Sequence, residues 1–209
     1  MKKILNIISS PRGESSYSNK LGNAIIEKIK TDYPESEIVT RDLNKFPFPH
    51  YNTSHLEAFF TPPENHTEIH KQSTKLSDEV INELFTADII VINVPTWNFS
   101  VPSVLKAWID QISRAGITFK YTENGPIGLI TGKKVYLSIA SGAVFSEGPY
   151  KAYDFVEPYL KAFLSFMGLT DVTTYRVEGL SIPVIQDIAF EKALTSIEEI
   201  SNSNLIVNN

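Results

Sequence analysis

The stretch Ala87-Asp88-Ile89-Ile90-Val91-Ile92-Asn93-Val94 limits the fold of this chain more than any other. Its apolar residues fall on both sides of the strand alternation, so a strand here must bury two faces. Parallel sheets, covered by helices above and below, provide that burial, whereas an antiparallel sheet with one wet face does not. The flanking sequence supplies matching pieces. Ile4 to Ile8 reads as a short buried strand, and Leu21, Ala24, Ile25, Lys28 and Ile29 trace a helical stripe with Ser16 or Ser18 as its N-cap. Ile38-Val39-Thr40 reads as a second strand. Residues 44–65, crowded with prolines and aromatics, read as an irregular insertion. Ile69, Leu76, Val80 and Leu84 mark a second amphipathic helix.

Beyond the central strand the alternation continues. Pro102 suits the first turn of a helix that buries Leu105, Trp108, Ile109 and Ile112. Asn124-Gly125 inside Thr118 to Pro126 signals a hairpin. Val135 to Ala140 is a fourth strand of the sheet. Pro158 opens a helix with Tyr159, Phe163, Phe166 and Met167 on its buried side, stopped by Gly168. Val172 to Val177 is a fifth strand, and Ile188 to Ile200 a last helix, leaving Leu205-Ile206-Val207 in a tail. Strand and helix thus alternate five times. The expected fold is α/β, a flavodoxin-like three-layer sandwich with a five-stranded parallel sheet in the order 2-1-3-4-5 and helices on both faces. Nothing in the sequence marks a linker, so residues 1–209 are expected to form a single domain.

Composition narrows the function. With no cysteine, the chain has no disulfide framework, cysteine nucleophile or thiolate metal site. A net charge of −5 argues against general nucleic-acid binding. No apolar run approaches the roughly 20 residues of a membrane helix. The apolar start is too short for a signal peptide, so a cytoplasmic location is expected.

In sheets of this kind ligands bind beyond the carboxyl ends of the strands, at the switch point, which directs attention to three loops. The first, Ser9 to Ser18, holds five serines in ten residues and runs into a helix N-terminus. That is either an ordinary serine-capped helix or a phosphate monoester site, with Arg12 adding charge or simply solvated. The loop lacks the Gly-Lys-Ser/Thr ending of a P-loop and the GxGxxG of a dinucleotide site. The second, Pro95-Thr96-Trp97-Asn98-Phe99-Ser100, places two aromatics directly after the central strand. They either flank a planar ring or pack into the core or another subunit, and both hold if a cofactor lies at a dimer interface. The third, Ser141-Gly142-Ala143-Val144-Phe145, is small enough for close backbone approach to a ligand. One loop for phosphate and two for a flat ring describe a mononucleotide with a large planar base, with FMN as the leading candidate.

At these loops, and at Arg114-Ala115-Gly116-Ile117-Thr118-Phe119-Lys120-Tyr121-Thr122-Glu123-Asn124-Gly125-Pro126 followed by Gly128-Leu129 and Thr131-Gly132-Lys133-Lys134, the sequence resembles the FMN-dependent NADH-azoreductases, which also act as NADH:quinone oxidoreductases. The resemblance runs to about residue 180. It implies FMN contacts at Ser10, at Ser16-Tyr17-Ser18, at Thr96-Trp97-Asn98-Phe99 and at Ser141-Gly142-Ala143-Val144. Tyr17 stands where the family has glutamine, Trp97 where a tyrosine is expected, and Ala143-Val144 where glycine-type positions are expected. The resemblance also implies a homodimer with flavin at the interface, NADH as donor, quinones and aromatic azo compounds as acceptors, and a ping-pong cycle. FMN carries the chemistry, so no side chain is assigned as general acid or base. Phe119 and Tyr121 either shape the acceptor pocket or pack the hairpin at the dimer contact. Two other readings share the fold: a flavodoxin-type electron carrier and a flavin-binding regulatory module. His66 and His70, spaced i,i+4, fill only part of a zinc shell, so no metal is expected.

Overall fold

The computed structural model describes residues 1–198, so the tail and the end of the last expected helix lie outside the described residues. The central strand is β3, Ile89–Pro95, and every residue in it is buried. It lies between β1, Lys3–Ile8, and β6, Lys134–Ala140, with β2, Glu37–Asp42, and β7, Asp171–Val177, at the two edges. All four pairings are parallel. The strand between β3 and β6 in sequence is a separate antiparallel hairpin, β4 Phe119–Thr122 and β5 Gly125–Gly128. Counting only the sheet strands, the order is 2-1-3-4-5, as the sequence predicts.

Alternation along the strands divides the core in two. Ile90, Ile92 and Val94 of β3 join Leu5, Ile7, Leu137 and Ile139 beneath α3 (Glu68–Thr86), α4 (Ser103–Ile112) and α5 (Glu157–Phe166). Ile89 and Val91 join Ile4, Tyr136, Ala140 and Val177 beneath α1 (Tyr17–Asp32) and α6 (Gln186–Ile197). The predicted α4 face is observed: Leu105, Trp108, Ile109 and Ile112 are all buried.

Three expectations need correction. The insertion is not wholly irregular, because α2, Thr53–Phe60, forms inside it. Its start is capped by Asn52, whose side-chain oxygen accepts from the His55 N–H at 3.0 Å. The inward face of α3 is Thr74, Ser77, Val80, Ile81 and Leu84, while Ile69 is 64% exposed and Leu76 is also exposed. Hydroxyl residues take the contact there: Ser77 Oγ donates to the Gln111 carbonyl of α4 at 2.6 Å. On α5 the buried positions are Leu160 and Leu164. Tyr159, Phe163 and Phe166 are half-buried shoulders against the same core. Among the described residues no helix is long and apolar enough to cross a membrane.

Candidate functional site

The carboxyl ends of β1, β3, β6 and β7 lie along one edge of the sheet, and the loops that follow them meet there. After β1, Ser9 Oγ donates to the Asn93 carbonyl at 2.6 Å and ties the loop to β3. Ser16 has extended φ/ψ and caps α1, its hydroxyl accepting from the Asn19 N–H at 3.5 Å and lying 3.0 Å from Ser18 Oγ. The N–H groups of Tyr17 and Ser18 have no carbonyl one turn behind them, and the first turn of α1 carries no acidic residue. This helix end therefore presents donors and a positive dipole end without an internal counter-charge.

After β3 the chain makes a tight reversal. Trp97 N–H donates to Ser100 O at 3.0 Å and Ser100 N–H to Trp97 O at 2.9 Å. The two central residues, Asn98 (φ 50°) and Phe99 (φ 66°), are both left-handed, as a type I′ turn requires. A phenylalanine in that region costs about 1–3 kcal/mol, a strain that persists only where the surroundings enforce it. The Phe99 ring packs on Phe145 and Tyr153, with centroids 6.2 and 5.8 Å away. Trp97 and Phe99 are nevertheless 44% and 50% exposed.

After β6, Ser141 Oγ donates to the Ala143 carbonyl at 2.8 Å. The segment after β7 closes against this loop, with Leu180 N–H on Ser141 O and Ser181 N–H on Gly142 O. Arg176 at the end of β7 meets Asp154, Glu157 and Glu178. Glu178 in turn accepts from the backbone N–H groups of Phe145 and Ser146 at 2.8 and 3.1 Å. Burial acts to raise the Glu157 carboxyl, but hydrogen bonds from Lys161 and Arg176 and the charge of Arg176 outweigh it and hold the group at about 2.

These loops enclose a cavity of about 260 Å³. Ser10, Ser16, Tyr17, Thr96, Trp97, Ser141 and Gly142, seven of the residues singled out from sequence, line it together with Arg12. Among the described residues no carboxylate does. Asn98 lies instead on a neighbouring cleft of about 580 Å³, which shares Trp97 with the cavity and includes Lys106 and Tyr159. Ser18 is fully buried beneath the loop. Ala143 and Val144 are half-buried, and Val144 borders a different hollow between β7 and α6. Phe119 is buried against Phe166 at 4.4 Å between centroids, and Tyr121 is 72% exposed on the hairpin. His66 Nε2 lies 3.0 and 2.9 Å from the carbonyl oxygens of Ala58 and Thr61. Sequence reasoning missed Leu180 and Ser181, which also line the cavity. They follow a strand that ends on the same edge, and the switch-point rule applied to all the strands would have found them.

A family model of the flavodoxin-like fold matches residues 2–200. The chain is 52% identical over 182 residues to an FMN-dependent NADH:quinone oxidoreductase of Herminiimonas arsenicoxydans, covering 87% of this chain and 89% of the relative. The chain belongs to the flavodoxin-like FMN-dependent NADH:quinone oxidoreductases. Another member of this family, FMN-dependent NADH:quinone oxidoreductase 1 of Rhizobium etli, is 46% identical over 96% of this chain and 98% of its own. Crystallised azoreductases have the same architecture. That of Bacillus anthracis str. Sterne superposes with a TM-score of 0.89 at 31% identity, over 97% of this chain and all of the other. A second, the FMN-dependent NADH-azoreductase from Bacillus anthracis str. Ames Ancestor, was solved in complex with FMN and superposes with a TM-score of 0.83 at 27% identity, over 96% and 99% of the two chains.

The residues around the cavity suit the cofactor of these flavodoxin-like oxidoreductases. Serine hydroxyls, Arg12 and a helix N-terminus free of acidic residues form a donor set for a phosphate dianion, and exposed aromatics adjoin it. Asn98→Ala is expected to weaken FMN retention by about fivefold to tenfold while the fold stays intact, because alanine resists the left-handed turn by roughly 1 kcal/mol and loses the amide. Asn98→Gly, which keeps the turn, separates the two contributions. Flavin stoichiometry and affinity equal to wild type in Asn98→Ala would refute a role for this residue.

Proposed function

We propose that this chain is an FMN-dependent NADH:quinone oxidoreductase that also reduces aromatic azo compounds, working by a ping-pong cycle as a single-domain cytoplasmic homodimer. The observation that carries this reading is the cavity itself: hydroxyls and Arg12 on one side and the exposed Trp97–Ser100 turn on the other, at the switch point of the sheet. Bound FMN supplies two-electron transfer between NADH and the acceptor. The protein supplies the rest. Ser10, Ser16 and Arg12, with the first N–H groups of α1, hold the phosphate. Thr96 to Phe99 and Ser141 to Val144 would border the ring, and the backbone N–H groups of Asn98, Phe99 and Gly142, which make no backbone bond among the described residues, would supply donors to its polar edge. Quinone reduction takes one hydride equivalent, and full azo cleavage takes two. On the hairpin the exposed Tyr121 shapes the acceptor side, with the buried Phe119 ring backing it at 5.6 Å between centroids.

The cavity and the cleft beside it meet at the exposed Trp97, where a second subunit would add a further wall to a flavin site. Beside it Phe99, Tyr153 and Tyr150 form a continuous exposed aromatic patch that a second subunit would cover.

The test is a visible spectrum of the purified protein, followed by anaerobic NADH and then a quinone. A flavin spectrum that bleaches with NADH and returns with quinone is the expected result. A flavin that NADH does not bleach would replace the enzyme with an electron carrier. A colourless protein that takes up no added FMN would refute both.

A further inference from the structure

The sheet face beneath α1 is mostly apolar but carries a row of buried polar side chains, Asn6, Asn93 and Ser138, on three adjacent strands. Ile4, Ile89, Val91, Tyr136, Ala140 and Val177 cover most of it. Asn93 of β3 and Ser138 of β6 stand side by side in register within it, both fully buried. Ser138 Oγ donates to the Ser18 carbonyl at 2.7 Å. Asn93 Nδ2 donates to Asn6 Oδ1 and to the Ile7 carbonyl, each at 2.7 Å. Its Oδ1 is buried with no partner among the described residues. It lies against Gly22, where a Cβ would collide with it. Ser18 and Gly22 are one helical turn apart, so the two strand residues grip the first two turns of α1 from below.

Packing alone does not call for this arrangement. In a helix the Ser18 carbonyl already accepts from the N–H four residues on, so the Ser138 hydroxyl rescues no orphan acceptor. An unpartnered buried amide oxygen costs about 1–3 kcal/mol that an apolar residue of similar shape would avoid. The polar pair lies at the end of the sheet nearest the cavity, and its bonds lead there. Ser18 Oγ meets Ser16 Oγ, and Ser16 lines the cavity. One position along the helix, Asn19 Nδ2 donates to the Gly13 carbonyl at 2.9 Å and holds the preceding loop.

We propose that Ser138 and Asn93 are positioning residues that set the seat of the α1 N-terminus and thereby the preference of the site for a phosphorylated flavin over riboflavin. This rests on the FMN reading above. Phosphate recognition by helix N–H groups depends on where those groups sit, and the ring contacts of loops two and three do not. A shift of α1 therefore weakens FMN and spares riboflavin, which shares the ring and side chain but lacks the phosphate.

The experiment measures FMN and riboflavin affinities by fluorescence titration of the full chain after its flavin has been removed. Ser138→Ala deletes only the hydroxyl and is expected to raise the FMN Kd about fivefold, with riboflavin held within about twofold. Ser138→Thr restores the hydroxyl and much of the preference. Gly22→Ala lifts the helix off Asn93 and is expected to raise the FMN Kd about tenfold or more. If Gly22→Ala does not fold, Ser138→Ala decides alone. Equal losses for both flavins in Ser138→Ala, or no loss for either, would overturn the positioning role. A wild-type protein that binds neither flavin, or binds both equally, would instead overturn the FMN reading.

Discussion

Replacing Arg176 with methionine is expected to lower the melting temperature by about 6–12 °C at neutral pH, from a loss of about 3 kcal/mol. Arg176 bridges three carboxylates that are themselves largely buried, Asp154, Glu157 and Glu178, and of these Glu157 alone has a second cation, Lys161 at 2.7 Å, among the described residues. Methionine keeps the aliphatic stem but leaves the three acids facing one another. The pH dependence follows from the Glu157 carboxyl, which sits at about 2 against an ordinary 4.5. A group lowered in the folded state stabilises it fully above the ordinary value, and that contribution fades as pH falls from about 4.5 through about 2. The gap between wild type and Arg176→Met should therefore narrow on acidification from pH 7 to pH 3, where the unpaired acids take up protons. Thermal melts at the two pH values check this. A variant that melts with wild type at pH 7 would refute the structural weight given to the cluster. There is a functional consequence as well. Glu178 holds Phe145 and Ser146 in the loop after β6, so the variant should also bind FMN a few-fold more weakly (roughly one lost hydrogen bond).

None of this cluster was legible in the sequence, and the reason is physical. Asp154, Glu157, Arg176 and Glu178 come from the segment before α5, from its first residue, and from the end of β7, so only tertiary packing brings them together. What could be read was local or periodic. The two-faced apolar run at Ala87–Val94 announced the parallel sheet, and five strand–helix alternations with it gave the strand order. The loops around the cavity followed from that order, because the switch-point rule needs only topology. The reading failed where side-chain chemistry replaced hydrophobicity. Ser77 and Thr74 occupy the inward face of α3, where a search for apolar residues selects Ile69 and Leu76. Asn52 starts α2 within a proline-rich stretch that reads as loop. The left-handed pair Asn98-Phe99 also gave little warning. Asparagine tolerates that region, but phenylalanine adopts it only because Phe145 and Tyr153 hold its ring.

The hairpin β4–β5 should be the other point of large sensitivity, through Gly128. Here β5 passes the end of α5 backbone against backbone, and a Cβ on Gly128 would collide with the Gly168 nitrogen and the Met167 carbonyl carbon. Backbone atoms cannot rotate away as a side chain does. Gly128→Ala must push the hairpin off α5, which breaks the bond from Ile130 N–H to Met167 O at 3.0 Å and separates Phe119 from Phe166. A loss of about 3 kcal/mol is expected, seen as a fall of roughly 6–12 °C in melting temperature. Tyr121→Ala on the same hairpin is the contrast. Its side chain is exposed, so the melting temperature should stay within about 2 °C of wild type. If the hairpin shapes the acceptor side, Tyr121→Ala should raise KM for a bulky quinone and leave the rate of flavin reduction by NADH unchanged. Gly128→Ala melting no lower than Tyr121→Ala would remove the backbone contact as the anchor. Unchanged KM in Tyr121→Ala would leave the hairpin a packing element and move the acceptor wall to the Phe99–Tyr153 patch.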